Sequence, residues 1–410
     1  MKSIKWFILL VLFVAGSGNN AQAISQGENV KVIPVGKGPD ALFLTPDEKF
    51  LYVANVEDSF ISVIDTHRDQ VVQTIDGTDY PWGFTRLNGT NLVAVSGWDK
   101  GIDIIDFTTH KIVRSKKFEV NLGGITSTHD GKTLFVVATN TNKVLKIDAR
   151  SLEVLDEYPT GNGPDGVGIS GDDTKLYVTN TKDGTIYIIT IKTKKSHVIK
   201  TGGKPELIHS NKDRSRLFIS NFFLNKVHIL DTHTDKIVKE ITGLDGPEEA
   251  VLSKSEQILF VVNFNNSKVY TYNANTYEKL PMEFQVGKKP IGIVSAANDS
   301  KIYVSNYGDN SVMVISNLNL SKARAMQTRT QKGPKILVKF KDTPQASQIQ
   351  ALEKQLGLKK VKVIPELRLV TFVVTGNRSL DEVLKACQKI SYVEYAEPSQ
   401  KYSIERNNSR

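Results

Sequence analysis

A motif recurs along this chain at intervals of 41 to 43 residues, and no other feature limits the fold so strongly: a short β-rich run ends on an Asn-like position, and an Asp-like position follows ten residues later. Leu51-Tyr52-Val53-Ala54-Asn55 leads to Asp65, Tyr177-Val178-Thr179-Asn180 to Thr190, and Phe218-Ile219-Ser220-Asn221 to Asp231. Phe260-Val261-Val262-Asn263 leads to Asn273 and Tyr303-Val304-Ser305-Asn306 to Ser316, while two weaker copies place Ser96 before Asp106 and Ala138 before Asp148. Each interval holds short runs of β-formers punctuated by Gly, Pro, Asp and Asn turns. A sheet that small cannot bury both of its faces alone and must stack on its neighbours. Seven such units predict an all-β seven-bladed propeller.

In the first repeat the strands are expected at 41–44, 50–54, 61–64 and 71–75. The seventh repeat lacks a fourth: after 312–315 the chain runs into Asn317-Leu318-Asn319-Leu320-Ser321. The segment 29–33 matches an outer strand and precedes the first repeat. It is therefore expected to pair with 312–315 and close the ring with an N-terminal strand, which removes an exposed sheet edge.

Residues 1–23 carry Lys2 and Lys5, an apolar run at 6–15 and Ala21-Gln22-Ala23, the plan of a cleavable export signal. The run is shorter than the roughly 20 residues that a membrane span needs. The expectation is a periplasmic or secreted monomer, without a membrane span, beginning near Ile24. Cys387 is the single cysteine of 410 residues, so no internal disulfide forms. It shares an apolar helical stripe with Leu380, Val383, Leu384 and Ile390 and reads as a packing thiol. The formal net charge of +9 is uneven: residues 321–410 hold 18 Lys and Arg against 8 Asp and Glu, which leaves the repeats slightly acidic. Such a ring offers no groove for a phosphate backbone, and no nucleic-acid partner is expected. The sequence contains no calcium-binding loop, His-Glu-x-x-His motif or Cys/His cluster at ligand spacing, so no metal and no cofactor are expected.

With Tyr177-Val178-Thr179-Asn180 at their centre, residues 29–316 resemble the YVTN β-propeller family. The resemblance implies an extracytoplasmic binding or scaffold protein with no shared catalytic residue. In a propeller the loops that lead into the inner strands and those between second and third strands share one face. That face is expected to carry Trp82, Trp98 and Asp99 beside Tyr80 from blade 2, Phe222 and Phe223 from blade 5, Phe264 from blade 6 and Tyr307 from blade 7. Aromatics on loops held by rigid strands suit a peptide, a glycan or a protein surface. The plainer alternative is that each covers the edge of its own blade.

Asp40, Asp165, Glu206, Glu248 and Glu249 belong to the same loops and are expected to be mostly solvated. His67, His110 and His233 fall in third-to-fourth strand turns and His129 and His209 near first-to-second strand hairpins, on the opposite face. Scattered turn histidines do not meet the cleft geometry that a general base requires. No catalytic residue is assigned and no enzyme activity is expected, with a propeller hydrolase of lactonase type carrying an accessory docking domain as the alternative.

The repeats end at 318, and a basic linker, 319–333, carries Lys322, Arg324, Arg329 and Lys332. Beyond it the sequence predicts strand 336–341, helix 345–356, strand 360–364, strand 369–374, helix 380–390 and strand 393–396. That βαββαβ order is a small α+β ferredoxin-like domain, placed at 334–404 and followed by a flexible tail at 405–410. Ser379 and Glu382 form a capping box for its second helix. The runs Ile336-Leu337-Val338-Lys339-Phe340-Lys341, Leu356-Gly357-Leu358, Val363-Ile364-Pro365-Glu366-Leu367 and Val393-Glu394-Tyr395-Ala396-Glu397-Pro398 resemble the propeptide domain of subtilisin-like proteases. The resemblance implies a chaperone or inhibitor whose sheet docks on the protease and whose tail, here Lys401, Tyr402, Ser403 and Ile404, lies in the active-site cleft. With no protease domain in the sequence, the partner is expected to be a separate subtilisin-like protease engaged in trans. The open alternative is a docking domain reused for another protein partner.

Overall fold

Runs such as Leu51-Tyr52-Val53-Ala54 are apolar at every position because the second and third strands of each repeat are covered on both faces by neighbouring sheets. The four residues just named are completely buried. The first-blade outer strand Gln70–Asp76 is buried only at Ile75 and leaves Val71 and Val72 exposed. Burial therefore falls from the middle of each sheet to its rim, and sequence polarity follows it.

The computed structural model describes residues 29–99, 101–296, 299–318, 334–374 and 378–399. The repeats form seven antiparallel four-stranded sheets in meander order. Consecutive inner strands touch, and the seventh, Pro290–Ala296, packs back against the first, Pro39–Leu44, so the sheets complete a seven-bladed propeller. The last sheet takes its outer strand from the other end of the chain: Asn29–Pro34 pairs antiparallel with Ser311–Ser316, from Asn29 opposite Ser316 to Pro34 opposite Ser311. This is the expected closure, and it leaves the seventh blade no unpaired edge at that strand.

The repeat motif has a structural cause. Asn55, Asn180, Asn221, Asn263 and Asn306 are fully buried at the ends of second strands. A buried amide is costly unless its donors and acceptor are used. Asn221, Asn263 and Asn306 accept from the Lys204, Asp245 and Gly287 amides at 2.9, 2.9 and 3.0 Å, which ties down the loop that leads into the inner strand. Asn55 and Asn180 only donate, to the Phe60 and Val178 carbonyls, and leave Oδ1 without a partner among the described residues. The Asp ten residues on caps the next turn: Asp65 accepts from the His67 and Arg68 amides at 2.9 and 3.0 Å, and Asp231 from those of His233 and Thr234, both at 2.9 Å.

One assignment is corrected by the pairing. Gly97, not Ser96, is the equivalent of Asn55, since Gly97 lies opposite Pro81 as Asn55 lies opposite Pro39. The following loop is one residue shorter in blade 2, where Gly97 pairs with Gly101 while Asn55 pairs with Phe60. A Cβ at Gly97 would stand 2.4 Å from the Asp79 carbonyl oxygen, so the tight loop excludes a side chain there. Ser96 instead donates to the Gly123 carbonyl of the next blade at 2.7 Å.

The C-terminal module is a four-stranded antiparallel sheet with strands in the order Leu358–Ile364, Leu369–Val374, Lys335–Phe340, Val393–Pro398. Helices Ala346–Leu356 and Leu380–Gln388 cover one face, where Ile336, Val338, Phe340, Leu352, Phe372, Val383 and Cys387 form its core. Gly357 ends the first helix at φ 63°, donating its amide to the Glu353 carbonyl, a left-handed geometry that suits glycine. The expected capping box is present, with the Ser379 amide donating to Glu382 at 2.7 Å and the Glu382 amide to Ser379 Oγ at 3.3 Å.

Candidate functional site

Each inner strand starts with a sharp turn followed, in six blades, by proline, which is acceptable at a first strand position because its missing N–H is not needed there. Gly163 and Gly246, at φ 66° and 63°, make two of these turns. The next residue faces the axis. Pairing puts Asp40, Trp82, Gly123, Asp165, Glu206, Glu248 and Ile291 at this same second position. Hydroxyls of neighbouring blades fix the strand starts from behind: Thr179 Oγ1 donates to the Glu206 carbonyl at 2.5 Å and Ser305 Oγ to the Asp40 carbonyl at 2.6 Å.

Four carboxylates thus meet around the axis and, with Glu249, line a cavity of about 410 Å³. The expectation that these five acids are mostly solvated is overturned: Glu206 and Glu249 are each only 7% exposed, and the other three are half-buried. The sequence signal was the acid that follows proline at Pro39-Asp40, Pro164-Asp165, Pro205-Glu206 and Pro247-Glu248. Only ring closure brings the four to one axis.

Burial makes the charged form costly, and like charges add to the effect. Asp40 is pushed up to about 8 by burial and then by the charges of Glu249, Asp165 and Glu206. Asp165 is pushed up to about 6 by burial and Glu206, with Lys204 opposing. Burial also raises Glu206 and Glu248, the latter further through Glu206 and Asp40. Lys204 forms an ion pair with Glu206 Oε1 and lies 5.6 and 5.9 Å from the ring centroids of Phe222 and Phe223. Glu249 joins blades 5, 6 and 7, accepting from the Ile293 amide at 2.9 Å and standing 3.3 Å from His209 Nε2.

His209 also departs from expectation: it lies on the inner strand Pro205–Ser210 and lines the cavity, on a strand whose regular alternation is interrupted by a register shift between Pro205 and Ile208. Among the described residues, no three His, Cys, Asp or Glu side chains gather closely enough to hold a metal ion.

The expected aromatic face divides in two. Trp82 is on an inner strand rather than in a loop and lines the cavity, with Trp98 tilted against it at 5.3 Å between ring centroids. Phe222 stands 5.8 Å from both Phe223 and Phe264, forming a second cluster across blades 5 and 6. Phe223 is its most accessible member at 69% exposure. Tyr307 lines the cavity and donates its hydroxyl to Glu57. Asp99 is exposed beside Trp98 and does not line the cavity.

In the module, the core residues Ile336, Val338 and Phe340 alternate with Leu337 and Lys339 on the helix-free face. Lys339 is opposite Leu369 on one side and Tyr395 on the other, and Tyr395 is 39% exposed. Lys401, Tyr402, Ser403 and Ile404 lie outside the described residues, as do the signal and linker segments. Among the described residues no helix is long and apolar enough to cross a membrane.

Ring and module together define a β-propeller protein with a propeptide-like α+β domain. Residues 91–195 match the YNCE-like beta-propeller family, and residues 333–399 match the family of the fervidolysin N-terminal prodomain. Among solved structures the chain is similar to Kuenenia stuttgartiensis hydrazine synthase, with a TM-score of 0.61 and 16% identity over 73% of this chain and 99% of that one. It is also similar to the Myceliophteria thermophila Cps50 (Swd1) beta-propeller domain, with a TM-score of 0.61 and 12% identity over 70% of this chain and 99% of that one. At such identities the likeness is one of fold. No curated protein matches the chain. A propeller joined to a prodomain-like module fits a binding or scaffold role.

Proposed function

We propose that the chain is an exported, non-enzymatic binding protein in which the propeller is the scaffold and the C-terminal module engages a subtilisin-like serine protease in trans. The observation that supports this most is the prodomain match, which spans every strand and helix of the module. A second support is the helix-free sheet face with Leu337, Leu369 and Tyr395, since two helices on one side leave the other side available to a partner. In this reading that face docks on the protease, and residues 401–404 extend into its cleft as an added strand.

The test is inhibition of purified subtilisin-like proteases by the full chain. The expected result is competitive inhibition that is lost on deleting residues 401–410 and weakened by Tyr395→Ala. Absence of both inhibition and a stable complex across a panel of such proteases would overturn the protease reading. Turnover of a lactone by the same preparation would overturn the non-enzymatic one.

A further inference from the structure

We propose that the axial cavity of the propeller is a receptor for a primary alkylammonium group, supplied by a free amine or by a lysine side chain. The proposal concerns the ring alone and stands apart from the protease reading of the module.

Charge compensation in the cavity is incomplete. Lys204 is the one lysine or arginine among the described lining residues, and it is committed to Glu206 Oε1. The other oxygen, Glu206 Oε2, is buried with no hydrogen-bond partner, in a residue only 7% exposed that lines the cavity. A buried carboxylate oxygen left without a donor is costly, so a donor from a ligand would be rewarded there. Among the described residues, no ion pair or hydrogen bond reaches the carboxylate of Asp40, Asp165 or Glu248 either.

Apart from Lys204, His209 and Tyr307, the side chains of the remaining wall are apolar, with Leu42, Trp82, Ile208 and Ile291 beside the acids. A ligand with methylenes along its length and a cationic end with several N–H donors matches such a lining, and the Trp82 ring adds a face that attracts a cation. The carboxylates are too dispersed to hold a metal ion among the described residues, which favours an extended organic cation. Val56 and Tyr307, from second-to-third strand loops, also line the cavity and place it toward the loop face.

Binding is linked to protons. Asp40, Asp165, Glu206 and Glu248 all have raised pKa values, and Lys204, Glu249, His209 and the Tyr307–Glu57 pair face or adjoin the same space. A cation binds best to the ionised carboxylates, so it releases protons on binding, and its affinity rises with pH.

The experiment titrates the full chain with spermidine and, separately, with a short lysine-containing peptide, following tryptophan fluorescence and heats in two buffers of different ionisation enthalpy. The expected result is saturable binding of at least one probe, strengthening between pH 6 and pH 9 with measurable proton release. Glu206→Gln and Glu248→Gln, which keep side-chain shape, should each weaken it by about tenfold or more. Preference for spermidine identifies a free amine as the natural source, and preference for the peptide a lysine side chain. No saturable binding of either probe overturns the proposal, as does binding that both variants retain unchanged.

Discussion

Tyr303 in blade 7 donates its hydroxyl to Asp69 of blade 1 at 2.9 Å, across a sequence separation of 234 residues. Lys301 Nζ meets the same Asp69 oxygen at 2.6 Å, with side-chain exposures of 14% and 19% for the lysine and the acid. Lys175, Tyr177 and Asp235 repeat this brace between blades 4 and 5, at 2.8 and 2.7 Å. The contact that closes the ring is therefore of the same kind as one inside it. Asp69→Ala should strip Lys301 of its carboxylate and Tyr303 of its acceptor at a partly buried site, a loss of about 2 to 4 kcal/mol. Asp235→Ala should cost a similar amount. Denaturant midpoints of the two variants check this, and a seam that is weaker than the internal interface would show as a smaller loss at Asp69.

Deleting residues 29–34 should harm the ring by a different route. The six pairings between Asn29–Pro34 and Ser311–Ser316 would vanish, along with the cover that Ile33, 3% exposed, gives to Val312 and Val314. The edge so exposed is a template for another chain. Size-exclusion chromatography of the truncated protein should show oligomers or aggregate. A monomer with an unchanged Tm would contradict the role assigned to this strand.

The axial acids also set a pH dependence. Asp40 ordinarily titrates at 3.8 and is held up to about 8 in the folded ring. Between these values the native state keeps a proton that the unfolded chain has released, so stability contributed by Asp40 is fully present below about pH 4 and is lost as pH rises toward 8. Asp172 works the other way: hydrogen bonds from Ser170 and Thr174 lower it to about 2, so its contribution is lost only in acid below its ordinary 3.8. Thermal unfolding from pH 5 to pH 8 should therefore show a falling Tm in the parent chain and a shallower fall in Asp40→Asn, which cannot ionise. Equal slopes in the two would refute the assignment.

Local chemistry made most of the architecture legible. The spacing of Asn and Asp reports two hydrogen-bonding jobs done within one blade, at Asn263 and Asp65 for example, and such local jobs leave a period in the sequence. The closing strand was legible because the seventh repeat is one strand short. In blade 2 a loop shortened by one residue shifts the register, so the ten-residue spacing falls on Ser96 while Gly97 holds the structural position. The axial cavity was harder to see. Its acids come from four separate blades and are individually ordinary, and their shared feature is position relative to proline, which has meaning only once strand starts are known to face an axis. Trp82 was assigned to a loop for the same reason, since the inner strand begins at Pro81.

Cys387 supplies a probe of the module. Its thiol is fully buried among Val383, Ile349 and Leu352, and burial pushes it up to about 11. The thiolate is the reactive form, so at pH 8 both low ionisation and lack of access protect it. Labelling by an aromatic disulfide reagent in native buffer should then proceed only through opening of the module, at least about a hundredfold slower than in denaturant. Val383, also completely buried, packs in the same core. Val383→Ala removes two buried carbons and should cost about 2 kcal/mol, which raises the open population roughly thirtyfold and the labelling rate with it. Fast labelling of the parent chain, or a rate that Val383→Ala leaves unchanged, would show that the thiol reaches solvent without the module opening and that this core is not what guards it.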